Sequence, residues 1–282
     1  MKPGTDPKPM NRGPFPMPRL GMGTWHMGES AATRAAEVAA LRLGLELGMG
    51  LIDTAEMYAE GGAEEVAGEA IRGRRERVFV VSKFYPHHAG RRELRLACDR
   101  SRRRLGIDTI DCYLYHWRGS VPLAETVAAL EDLVARGRIA SWGVSNFDRA
   151  DMEELFAIPG GEHAVANQVL YNLARRGIEF DLLGWCAARG LDVMAYSPLD
   201  EGPLARHPEV VRVAQDSGLT AAQVAIAWTL RHPQVVSIPK ACSEEHVRAN
   251  AACATLRLDV PALQALDRAF PPPTRRQRLE IV

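Results

Sequence analysis

The chain alternates. Eight short β-branched or apolar runs, each ending in polar residues, are each followed by an Ala/Leu/Arg/Glu-rich segment with helical spacing. The runs are 18–24, 51–54, 78–83, 110–116, 139–145, 165–169, 193–197 and 235–238. The helical segments are 32–47, 63–72, 91–105, 123–136, 149–156, 181–189, 221–231 and 244–255, and Gly48, Gly73, Gly106, Gly137 and Gly190 follow five of them as left-handed caps. Eight strand-then-helix units in roughly 260 residues predict an α/β fold of the (β/α)8 TIM-barrel type, whose usual length is about 250. The rival doubly wound sheet is expected to carry G-x-G-x-x-G after its first strand. Gly21-Met22-Gly23 comes nearest and lacks the third glycine.

Charge and cysteine usage narrow the setting. The 282 residues carry 35 basic and 35 acidic side chains, a formal net charge of zero, which argues against nucleic acid or an anionic membrane as a partner held by bulk charge. Five scattered cysteines with no C-x-x-C pair give neither a disulfide framework nor a zinc ribbon, so a reducing cytoplasm is expected. No apolar run reaches the ~18 residues of a membrane span. Residues 1–18 hold six of the eighteen prolines and read as a flexible lead-in, leaving 19–282 as one barrel domain with its C-terminal tail.

Barrel enzymes work at the carboxyl ends of their strands. The polar residues ending the runs are Thr24, Asp53, Lys83, His116, Ser145 with Asn146, Gln168, Ser197 and Lys240, which the fold would gather on one rim. Tyr58 follows Asp53 on the same loop. Lys83 and Lys240 are the two internal lysines in a chain whose other basic residues, apart from Lys2 and Lys8, are arginines. Singly, Asp53 could cap a turn, Lys83 could be solvated and His116 could be an interior histidine. Together they make chemical sense. A phenol with a reference pKa near ~10 is a poor proton donor at neutral pH unless a cation sits beside it. A lysine supplies that cation, a carboxylate keeps the lysine charged, and a histidine fixes the oxygen that receives the proton.

These residues sit in a longer series of motifs. Leu20-Gly21-Met22-Gly23-Thr24-Trp25, Leu51-Ile52-Asp53-Thr54-Ala55 with Tyr58, Ser82-Lys83, His116-Trp117, Gly143-Val144-Ser145-Asn146-Phe147, Asn167-Gln168, Tyr196-Ser197-Pro198-Leu199 and Ser237-Ile238-Pro239-Lys240 resemble the aldo-keto reductases, in order, from about Leu20 to Asn250. The successive intervals of 5, 25 and 33 residues from Asp53 to Tyr58, from Tyr58 to Lys83 and from Lys83 to His116 agree with that family as well. The chain is most similar to the bacterial branch that reduces methylglyoxal and other small aldehydes. The resemblance implies NADPH as cofactor, with weaker use of NADH, no metal, and a monomer. It also implies Tyr58 as general acid, Lys83 and Asp53 as its tuning pair, and His116 as substrate orienter. Thr24 and Trp25 would border the cofactor, Ser145, Asn146 and Gln168 would bond the nicotinamide carboxamide, and Tyr196 would stack on its ring. Ser197 and Leu199 would meet the pyrophosphate, Lys240 and His246 the 2′-phosphate, and Asn250 the adenine. Trp25, Phe84, Tyr85 and Trp117 would wall the substrate, with the 254–282 tail adding to the outer wall.

Departures from the pattern stand at the phosphate end. His246 replaces a usual arginine, Ala241 a common serine, and Asp200 with Glu201 a frequent glycine. Either one of these acids reaches Lys240 over the cofactor or both face solvent. Other patterns carry less. Ser237-x-x-Lys240 spells an acyl-serine motif but lies in a strand context, the arginines of 91–104 read as a solvated outer helix, and His87-His88 lacks a third metal ligand. A barrel hydrolase using paired carboxylates leaves Tyr58, Lys83 and Tyr196 without roles. From a different functional class, a nucleotide-sensing regulatory subunit of the same fold with vestigial catalysis is the alternative to an enzyme. Trp142, Trp185 and Trp228 read as core.

Overall fold

The computed structural model describes residues 16–281, so most of the proline-rich lead-in lies outside the described residues. Its elements run β1 (Gly21–Gly23), α1 (Arg34–Glu46), β2 (Leu51–Asp53), α2 (Gly62–Ile71), β3 (Phe79–Phe84), α3 (Arg91–Leu105), β4 (Ile110–Tyr115), α4 (Leu123–Ala135), β5 (Ile139–Ser145) and α5 (Arg149–Ala157). Then follow β6 (Ala166–Leu170), α6 (Leu182–Ala188), β7 (Asp192–Tyr196), α7 (Pro208–Ser217), α8 (Ala221–Thr229), β8 (Val235–Ser237), α9 (Glu244–Ala252) and α10 (Val260–Ala269).

All eight strands are parallel and pair in chain order. A parallel bridge from Leu20 to Ser237, with the Ser237 N–H donating to Arg19 O at 2.8 Å, joins the last strand to the first. The fold is the (β/α)8 barrel expected from the alternation. Strand residues are buried on both sides, as a helix-wrapped parallel sheet requires. Met17 belongs to the apolar cluster that contains Leu51, Phe79 and Val81, so packing of the barrel begins within the stretch assigned to the lead-in.

Strand alternation decides which side chains reach the site. Along β3, Phe79 and Val81 belong to the cluster inside the barrel, whereas Val80 and Phe84 belong to the cluster beneath the helices. Lys83 continues the inward phase. Along β4, Cys112 and Leu114 point in and Tyr113 and Tyr115 point out, which aims His116 inward at the strand's end.

Two helices escaped the sequence pattern. Helix α7 buries Val210, Val213 and Ala214 at helical spacing behind Pro208, but Glu209, Arg212, Gln215 and Asp216 around them mask the stripe. Helix α10 lies in the tail, capped by the Asp259 side chain, which accepts from the Ala262 N–H at 2.8 Å. The three tryptophans expected in the core are buried.

Candidate active site

Asp53 ends β2, Lys83 is next to last in β3, and Tyr58 stands on the turn that leaves β2. Burial of the Lys83 ammonium is complete, at 0% exposure. An ammonium taken out of water costs several kcal/mol unless its protons find acceptors. Here all three do: Asp53 Oδ2 at 2.7 Å, Thr54 O at 2.9 Å and the Tyr58 hydroxyl at 3.0 Å. The second Asp53 oxygen accepts from Gln168 Nε2 at 2.7 Å, which locks the carboxylate across the barrel.

The charges set the protonation states. Burial opposes the Lys83 charge, but Asp53 and Tyr58 outweigh it and hold the ammonium above its ordinary value. Burial lifts the Tyr58 phenol above its ordinary value, and Lys83 pulls against that rise without cancelling it. Burial, followed by the Lys83 charge, pushes His116 down to about 2, so its imidazole is neutral at working pH. Among the described residues His116 Nδ1 has no partner. A buried bare lone pair is tolerated better than a buried orphan N–H, so the favoured tautomer carries its proton on Nε2.

Backbone strain shapes the adjoining loops. Ala59 and Glu60 take φ of 49° and 52° directly after Tyr58. This turn packs against the β1–α1 loop at Gly28, where a Cβ would meet the Gly62 carbonyl carbon at 2.3 Å. Trp25, carried by that loop and 42% exposed, places its ring edge-on to Tyr58 at 4.8 Å.

From the tetrad a cavity of about 490 Å³ runs over the strand ends to Lys240, within the range usual for ligand sites. Thr24, Ser145, Asn146 and Gln168 line its middle, with Tyr196, Ser197 and Leu199 beyond them. Asn146, at φ 59°, accepts from the Tyr196 hydroxyl at 2.9 Å and donates to His116 O at 3.2 Å. The structure thus brings together most of the residues singled out from the sequence.

Others it places elsewhere. Phe84 is fully buried beneath the helices and stacks on Tyr115 at 5.1 Å, because it occupies the outward phase of β3; it does not wall the cavity. Trp117 packs on His116 at 4.8 Å with Tyr85 edge-on to it at 6.2 Å, so both flank the tetrad without lining the cavity. His246 and Asn250 lie on α9, also outside the lining. Asp200 does not reach Lys240: it meets Arg175 at 3.4 Å and Asn172 at 3.3 Å, cations and amides supplied by the β6–α6 loop beside it. Glu201 lines the cavity, but among the described residues no carboxylate pairs with Lys240. Nor does the tail form the outer wall. It is drawn aside by Arg276 on Asp181 and Glu280 on Arg175, each at 3.1 Å.

Sequence reasoning passed over His26, Met57 and Asn172. His26 and Met57 line the cavity, and each stands directly beside a residue already singled out. Asn172 donates to Ser197 O at 2.9 Å and steadies a loop in which Ser197, Asp200 and Glu201 take φ of 48°, 50° and 56°. Its position two residues past β6 was the available signal.

Comparison with known proteins agrees with the geometry. The model of the aldo/keto reductase family matches residues 19–270. Methylglyoxal reductase YeaE of Escherichia coli is 50% identical over 275 residues, covering 96% of this chain and 97% of that one. Glyoxal reductase of Bacillus subtilis is 32% identical over 83% of this chain and 82% of its own. A crystal structure of an aldo/keto reductase from Klebsiella pneumoniae, in complex with NADP and acetate, superposes with a TM-score of 0.92 at 54% identity, covering 94% of this chain and 95% of that one. With the barrel, the tetrad and the sequence in agreement over nearly the whole length, the chain belongs to the aldo/keto reductase family.

Proposed function

We propose that the protein reduces aldehydes and small ketones to alcohols with NADPH, and that 2-oxoaldehydes such as methylglyoxal are among its substrates. The observation that carries the reading is that Lys83 bonds at once to Asp53 and to Tyr58, both of which line a cavity that continues to Lys240. The donor set fits the dinucleotide: two amides and a hydroxyl at mid-cavity, a half-buried tyrosine ring, and at the far end a lysine with no carboxylate partner among the described residues. Ser145, Asn146 and Gln168 would hold the carboxamide, Tyr196 the nicotinamide ring, Ser197 and Leu199 the pyrophosphate, and Lys240 the 2′-phosphate.

Bound NADPH supplies the hydride that goes to the carbonyl carbon. Tyr58 gives its phenolic proton to the carbonyl oxygen as negative charge grows there, and Lys83 stabilises the phenolate that remains until solvent returns the proton. Asp53 keeps Lys83 charged and in place. His116, with its proton on Nε2, donates to the same oxygen and orients it. Trp25 offers rigid apolar surface beside the reacting group, and Trp117, met by Tyr85, packs on His116. No observation favours the regulatory-subunit reading, since Asp53, Lys83 and Tyr58 are bonded in line and His116 faces Tyr58 across the same cavity.

The test is NADPH oxidation with methylglyoxal, an aromatic aldehyde and a keto-sugar. Turnover of at least one, lost on Tyr58→Phe, supports the reading. Absence of turnover with all three overturns it. The proposal extends to a monomer in the cytoplasm, with a lead-in over 1–18 and a single barrel unit over 19–282. Five unpaired thiols support the compartment, and light scattering checks the monomer.

A further inference from the structure

Glu56 stands between Asp53 and Tyr58 and takes no part in the proton transfer. Its side chain is nonetheless only 4% exposed. A carboxylate so placed must be matched by donors. One oxygen accepts from the Tyr85 N–H at 2.9 Å and from His88 Nδ1 at 2.7 Å, and the other lies 3.6 Å from Arg100. The Glu56 N–H in turn donates to Lys83 O at 3.1 Å. Arg100 can only donate, and its Nη2 is 3.5 Å from His88 Nε2, so His88 accepts there and gives its Nδ1 proton to Glu56. One residue therefore fastens the loop bearing Tyr85 to the turn bearing Tyr58. Tyr85 meets Trp117 edge-on, and Trp117 packs on His116.

We infer that Glu56 is a positioning residue that holds the Tyr85–Trp117 pair against the tetrad and so sets how well the site accepts aromatic 2-oxoaldehydes. The inference rests on the proposed function. Its test compares methylglyoxal with phenylglyoxal, which share a reacting group and differ in the size of the substituent that must fit beside His116, against which the aromatic pair packs. Glu56→Gln keeps one oxygen as acceptor for both Tyr85 and His88 but sets an uncharged amide donor against the Arg100 donor. The expected result is a KM for phenylglyoxal raised about fivefold or more, with the methylglyoxal KM, both kcat values and NADPH affinity within about twofold. Adding Arg100→Gln replaces the opposed donor by a side chain that can accept from the new amide and still donate to His88 Nε2, and should recover most of the loss. Should Glu56→Gln not fold, His88→Ala probes the same link from its more exposed end and should shift phenylglyoxal KM in the same direction. Equal losses for both aldehydes, a fall in kcat alone, no change at all, or no recovery in the double variant overturns the inference. Wild-type turnover of both aldehydes is measured first. Its absence overturns the proposed function, whereas a wild type active on both with an unselective Glu56→Gln overturns only the role of Glu56.

Discussion

Lys83 can only donate hydrogen bonds, so at 3.0 Å from Tyr58 it takes a lone pair of the phenol oxygen and leaves the phenolic proton for the cavity. The same ammonium lies 4.7 Å from the centre of the Tyr58 ring, so it stabilises the phenolate both through the oxygen and across the ring. Removing it should therefore damage the acid without displacing it. Lys83→Met is expected to lower kcat for aldehyde reduction by about 10²-fold or more, the low end for loss of a general acid's activation. Residual activity should rise toward acid pH, where solvent acid replaces the unassisted phenol. Wild-type rates at neutral pH in the variant would make Lys83 a structural residue.

Tyr58→Phe tests the acid itself. The ring keeps its packing against Trp25, and Lys83 keeps Asp53 and Thr54 O, so the loss is confined to one hydroxyl. We expect kcat to fall by at least ~10²-fold. NADPH affinity, read by fluorescence titration, should change by less than about twofold, because the effect is confined to the chemical step. A variant within a few-fold of wild type would sink the mechanism.

His116 gives a prediction about stability as well as rate. Its folded-state pKa lies at about 2 because burial and Lys83 both disfavour the imidazolium. An unfolded histidine titrates near ~6.5. Below that pH the unfolded state binds a proton that the folded state does not, so stability falls as pH drops through the window between the two values. The slope from this one group is at most about 1.4 kcal/mol per pH unit. Wild-type protein should lose Tm between pH 7 and pH 5, and His116→Phe should lose measurably less. Parallel Tm curves for the two proteins would place the titrating group elsewhere. Above pH 7 the histidine stays neutral and contributes no limb to the rate profile. The falling limb for reduction belongs to Tyr58, whose raised pKa moves loss of the acidic form to higher pH.

The alternation along the chain was enough to predict the barrel, and the barrel rule placed Asp53, Lys83, His116 and Gln168 on one rim. What remained hidden is phase and reach. Phe84 follows Lys83 directly, yet the two-residue period of the strand turns it under the helices, a fact visible only once the inward residues of β3 are known. From sequence, either Asp200 or Glu201 was to answer Lys240 or both were to face solvent, and Asp200 does neither. Arg175, from a different loop, is the nearer cation, and no local pattern announces a contact between residues 25 apart. Glu56 reads in sequence as an ordinary acid on a turn. Only the fold, by folding residues 85–88 over it, makes it a buried anchor.

The choice between cofactors turns on Lys240. It stands exposed at the far end of the cavity with no carboxylate paired to it among the described residues, and Asp200 is committed to Arg175 and Glu244 to Arg248 at 2.8 Å. Arg248, held by Glu244, is not spare to replace the arginine missing at His246. On the proposed reading Lys240 would be the principal cation for a 2′-phosphate, helped by the N-terminal turn of α9, whose dipole favours an anion. A charge-assisted contact of this kind is worth about 1.5–3 kcal/mol, or roughly 10- to 150-fold. Lys240→Met should therefore weaken NADPH by about that factor and leave NADH within about threefold, because NADH has no phosphate there to lose. His246→Arg should act in the opposite direction and tighten NADPH alone, by adding a permanent charge to the exposed first turn of α9. Dissociation constants for both cofactors on the two variants decide the matter. Equal weakening of NADH and NADPH by Lys240→Met would mean that the lysine meets a part of the dinucleotide common to both, and the 2′-phosphate would have to be sought nearer Arg175 and the 197–202 loop.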